Sequence, residues 1–66
     1  MKNKKYILKN DCSVYCVNGS IDKDIKFKKG FELSVISEGS ENEEIMVFEN
    51  NEYGSMYVDR KNVKVV

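Results

Sequence analysis

Apolar residues in this chain recur at every second position, in runs broken every 8–12 residues by Asn, Gly, Asp or Ser. No window holds a helical period. Alternation at a period of two, in segments rich in Val, Ile, Phe and Tyr, is the mark of half-buried strands. The clearest case is Phe27-Lys28-Lys29-Gly30-Phe31-Glu32-Leu33-Ser34-Val35-Ile36. It reads as the end of one strand, a glycine turn, and a strand over 31–37 with Phe31, Leu33 and Val35 on one face.

The neighbouring segments follow the same pattern. Tyr6-Ile7-Leu8-Lys9 is a short strand closed by Asn10-Asp11. Residues 12–17 alternate, with Cys12, Val14 and Cys16 on one side and Ser13, Tyr15 and Val17 on the other. Asn18-Gly19-Ser20 is a turn, because Asn and Gly tolerate positive φ. Asp22-Lys23-Asp24 extends it as a polar loop. Residues 37–44, Ser-Glu-Gly-Ser-Glu-Asn-Glu-Glu, form an acidic loop without an apolar residue. A strand over 45–48, a turn at Asn50-Asn51, a strand over 53–58, a connector at 59–62 and a closing strand over 63–66 complete the chain.

With Asn50 and Asn51 as a central turn pair, Phe48 faces Tyr53 and Ile45 faces Met56. Alternation then puts Ile45, Val47, Met56 and Val58 on one face and Met46, Phe48, Tyr53 and Tyr57 on the other. Any odd-length loop breaks this assignment. If it holds, Met46, Phe48, Tyr53 and Tyr57 form an outer stripe of the kind enriched at interface centres.

Sixty-six residues are room for one domain, here residues 6–66 behind a basic arm at 1–5. Ala, Pro, His, Gln, Trp and Thr are absent, while ten lysines stand against one arginine. That usage reads as the codon bias of an AT-rich bacterial or phage genome. Lack of His removes the usual neutral-pH base and the commonest metal ligand. Cys12 and Cys16 on one strand lie about 13 Å apart, at a rise of about 3.3 Å per residue, too far for a disulfide. Two sulfurs alone make a poor zinc site. They read as core thiols, and the expectation is a non-enzyme with no cofactor and no metal.

Net charge is zero, yet residues 1–30 hold eight lysines against three aspartates, and residues 31–66 hold three basic against eight acidic residues. Such asymmetry steers partners. Glu38, Glu41, Glu43 and Glu44 would supply charge complementarity to a protein partner around the stripe. Lys2, Lys4, Lys5, Lys9, Lys26, Lys28 and Lys29 are the alternative, a phosphate-contacting set for nucleic acid. No apolar run reaches the roughly 20 residues of a membrane span, and 6–8 is too short for a signal-peptide core, so a cytoplasmic location is expected.

Two stretches resemble the SH3-like barrel, the bacterial SH3 type in particular. One is Phe27 to Ile36. The other is Gly54-Ser55-Met56-Tyr57-Val58 followed by Asp59-Arg60-Lys61-Asn62-Val63-Lys64-Val65-Val66. The resemblance implies an all-β, five-stranded antiparallel SH3-like barrel with a short 3₁₀ turn before the last strand. It also implies that Tyr15 and Tyr57 match two groove tyrosines of peptide-binding SH3 domains. The chain lacks those domains' Trp and Pro, and Asp59 stands where the Pro falls. The expected function is a non-enzymatic protein-binding module, as of a small phage or mobile-element protein that binds or inhibits a host protein. A nucleic-acid-binding barrel and a homo-oligomeric structural module are the alternatives.

Overall fold

The computed structural model describes residues 5–66. The expected arm at 1–5 lies outside the described residues except for Lys5. Seven strands form among the described residues: β1 (Tyr6–Leu8), β2 (Cys12–Asn18), β3 (Ile21–Phe27), β4 (Glu32–Leu33), β5 (Ile45–Asn50), β6 (Gly54–Asp59) and β7 (Val63–Val65). Single 3₁₀ turns occupy Ser40–Asn42 and Arg60–Asn62, the second directly before the last strand. The strands make two antiparallel sheets, in the orders β4-β1-β7 and β3-β2-β6-β5. The all-β expectation is met. The five-stranded closed barrel is not: there are seven strands in two sheets of three and four, and they do not close.

Three local features account for the difference. Asp22-Lys23-Asp24 is ladder rather than loop, since β3 pairs with β2 along its whole length, from Cys12 opposite Phe27 to Asn18 opposite Ile21. The segment is polar because it is the outermost strand of its sheet, where charge is the normal covering. The second feature is the segment 31–37, which is not one strand. Residues 32–33 pair with β1, after which the chain crosses and Ile36 bridges Phe48 of β5. The alternation slips by one residue at the crossing. Leu33 is buried and Ile36 is half-buried against the core, while Val35 is 71% exposed, so Phe31, Leu33 and Val35 do not share a face.

The third feature is the β5–β6 turn. Asn50 pairs with Gly54, which leaves a loop of three residues, 51–53. The Asn50 side-chain oxygen accepts the N–H groups of Glu52 (2.7 Å) and Tyr53 (2.9 Å), an Asx turn that sets the loop length. Gly54 then adopts φ +81°, and a Cβ there would collide with the Val17 carbonyl oxygen. An odd loop places Phe48 opposite Met56 and Met46 opposite Val58, where the two-residue turn put Phe48 opposite Tyr53.

Side chains from both sheets meet in one core of Tyr6, Leu8, Val14, Cys16, Phe27, Leu33, Met46, Phe48, Met56 and Val58. Phe48 and Met56 are wholly buried, and the Tyr6 ring meets Phe48 edge-on at 5.4 Å. The acidic loop is anchored from within by Ser40, whose hydroxyl donates to the Ser37 carbonyl (3.0 Å) and accepts the Val47 N–H (3.1 Å). The Arg60 guanidinium closes the loop's far end by donating to the Glu43 carbonyl. No helix is long and apolar enough to cross a membrane among the described residues.

Candidate functional site

Because the β5–β6 loop is odd, the outer stripe does not exist as a surface. Met46 and Phe48 lie in the core, where they fill space between the sheets. Tyr53 is half-buried, packed edge-on against Phe27 at 5.1 Å. Of the four, only Tyr57 faces outward, 39% exposed. The corrected register sends a different set to the outside.

On the outer face of the four-stranded sheet, cross-strand pairing sets Asp24, Tyr15, Tyr57 and Val47 in one row across all four strands. Asp22, Val17, Ser55 and Glu49 form the next row. Toward the other end, Lys26 lies opposite Ser13, and Ile45 opposite Asp59. Tyr15 and Tyr57 sit on the two central strands with ring centroids 5.8 Å apart, tilted 47° to each other. Tyr15 is 41% and Ile45 43% exposed, so this face carries apolar area in open solvent. Around the tyrosines the ladder places four carboxylates, Asp22, Asp24, Glu49 and Asp59, with Lys26 at one end of the face.

The Tyr15 hydroxyl donates to the Asp22 carboxylate at 2.6 Å. That bond, then loss of hydration and the nearby Asp22 and Asp24 charges, raises the phenol above its ordinary pKa. The ring is thereby held as a neutral donor beside Tyr57. Both rings were legible as outward-facing, Tyr15 from the alternation of 12–17 and Tyr57 as part of the expected stripe; their contact across the β2–β6 ladder was not.

The other sequence candidates are dispersed. Glu38, Glu43 and Glu44 are exposed on the 37–44 loop, and Glu41 accepts a long hydrogen bond (3.4 Å) from the Tyr6 hydroxyl. They belong to the loop beside β5 and not to the tyrosine face. Lys2 and Lys4 lie outside the described residues. Lys5 pairs with Glu32 at 3.6 Å, both well exposed, an ion pair of little energetic weight. Lys26 lies on β3 two residues from Asp24, and the Asp11 carboxylate accepts the Lys29 backbone N–H at 2.7 Å before the turn at Gly30. Lys28 precedes Lys29, and Lys9 follows β1 in the other sheet. Acidic groups interleave the lysines among the described residues, and these form no continuous strip.

Cys12 and Cys16 are free thiols, half-buried and buried on the inner side of β2. Burial raises both above the ordinary thiol value; Asp11 and Asp59 add to this at Cys12, and Asp24 at Cys16. Neither is primed as a thiolate nucleophile. Among the described residues no three His, Cys, Asp or Glu side chains gather as a metal site. A cleft of about 620 Å³ is lined by Lys9, Glu44, Asp59, Arg60, Lys61 and Val63. Its charges are mixed, and Arg60 is already committed to the Glu43 carbonyl. No protein family, curated protein or solved structure matches the chain.

Proposed function

We propose that the protein is a non-enzymatic binding module that docks a partner protein on the outer face of its four-stranded sheet, with Tyr15 and Tyr57 at the centre. The observation that carries this reading is the exposed aromatic pair ringed by Asp22, Asp24, Glu49 and Asp59. Tyrosine concentrates binding energy because a rigid ring buries much area at small entropic cost. The carboxylates favour a partner whose contact surface is basic, and act chiefly on encounter rate and orientation. The residue usage, with ten lysines and no Ala or Pro, supports placing this within a phage or mobile element, with a host protein as the target that is bound or inhibited.

The test is affinity capture from a low-GC Gram-positive lysate with the unaltered chain, a Tyr15→Ser/Tyr57→Ser variant and a Val65→Ser control on the other sheet. The reading expects one partner retained by the unaltered chain and the control and lost by the double variant. Equal capture by all three removes the face from consideration. Retention of nucleic acid instead, with steep loss as salt rises, would favour phosphate binding by the lysines.

A further inference from the structure

β3 is the end strand of its sheet, seven residues long and exposed over most of that length. Its inner edge is taken by β2. The two-residue turn closes on the pair Asn18–Ile21, and hydrogen-bonded pairs in an antiparallel ladder recur at every second residue. Ile21, Lys23, Ile25 and Phe27 therefore bond to β2. Asp22, Asp24 and Lys26 turn their N–H and C=O groups to the open side, a row that can template another strand. The side chains of the same three residues share the outer face of the sheet, and Lys28 follows at the next position of that parity. Read along the edge, the order is acid, acid, base, base.

We infer that two copies of the chain join edge to edge through β3, antiparallel, about a twofold axis at Ile25. An antiparallel twofold pairing that keeps both outer faces on one side sets residues of equal parity opposite each other. Centring it on Asp24 puts that carboxylate against its own copy. Centring on Lys23 puts Asp22 against Asp24, and centring on Lys26 puts two ammonium groups together. Like charges directly opposite are destabilising. Centred on Ile25, Asp24 meets the second copy's Lys26, twice by symmetry, and Asp22 lies toward its Lys28, one residue past the strand end, with no like pair. The open N–H and C=O groups of Asp24 and Lys26 are then the bonded ones, as the ladder requires. Ile25 meets Ile25 on the inner side, with Lys23 beside Phe27.

Edge charges ordinarily deter association; here their order selects one register and deters the rest. The result is an eight-stranded sheet with two Tyr15–Tyr57 pairs on the same side. Pairing at the edge is independent of whether those tyrosines bind anything.

The test is sedimentation equilibrium of the intact chain from micromolar to millimolar concentration. A dimer is expected, weakened by salt. Asp24→Lys and Lys26→Asp should each raise the dissociation constant by about tenfold or more, since each turns two attractive pairs repulsive. The combined Asp24→Lys/Lys26→Asp chain restores complementarity and should return to within about threefold of the original. Amide exchange on the unaltered chain gives a reading free of substitution: Asp24 and Lys26 N–H groups should gain protection as concentration rises. A strict monomer throughout, or a dimer indifferent to both single changes, overturns the inference.

Discussion

The Tyr15 hydroxyl reaches diagonally across the β2–β3 ladder to the carboxylate of Asp22, 2.6 Å away. The acceptor is the neutral phenol's partner and the phenolate's opponent, so ionisation of Tyr15 is postponed to higher pH. Asp22→Asn should bring the Tyr15 titration back toward the ordinary tyrosine range. Ring-proton chemical shifts followed through alkaline pH would show it, and an unmoved Tyr15 would mean that the bond is not kept in solution.

Phe48 is wholly buried, whereas Ile45, three residues earlier on the same strand, is on the outer face. Phe48→Ala should cost about 3–5 kcal/mol, comparable with the whole stability of about 3–10 kcal/mol available to a domain of this size. Ile45→Ser should cost less than about 1 kcal/mol. Urea unfolding separates the two. Similar losses at both sites would contradict the three-residue loop and the register it imposes.

Gly54 and Gly39 both have positive φ, but only Gly54 lies against another strand. Gly39→Ala meets open space and should lose about 1 kcal/mol for the left-handed backbone alone. Gly54→Ala adds a collision with the Val17 backbone to the same strain. It should lose several times more, about 3 kcal/mol or above. Thermal unfolding of the two variants provides the comparison.

The buried Cys16 thiol has its pKa raised by desolvation first and by the Asp24 charge second, with Lys23 opposing. Above the unfolded thiol's pKa the open chain loses this proton while the folded chain keeps it. Stability from this group is thus complete below the unfolded value and is lost as pH rises toward the folded one. Cys16→Ala should be less stable at neutral pH but should show a smaller alkaline loss than the unaltered chain. Unfolding midpoints at a series of pH values test the sign. Cys12, only half-buried, should alkylate before Cys16.

Strand character was readable from side-chain alternation because that period is local. The inward set Cys12, Val14, Cys16 and the turn at Gly19 needed no more than neighbouring residues. The 3₁₀ turn before β7 was also expected in place. Partner choice was not readable. Nothing within 31–37 announces that the chain leaves β1 after Leu33 and joins β5 at Ile36, since both halves are equally apolar and the switch is decided by which sheet edge lies near. Likewise Asp22-Lys23-Asp24 has a loop's composition and becomes a strand because β2 offers it a complete ladder.

The chain's own order of residues determined that this protein is β throughout, where most of its turns fall, and that Tyr15 looks outward. Tertiary structure decided that Met46 and Phe48 are interior and that Tyr15 stands beside Tyr57. The cause is one residue of loop parity: the Asn50 side chain and the tight approach of Gly54 to β2 make the turn odd, and in a strand an odd shift exchanges the two faces.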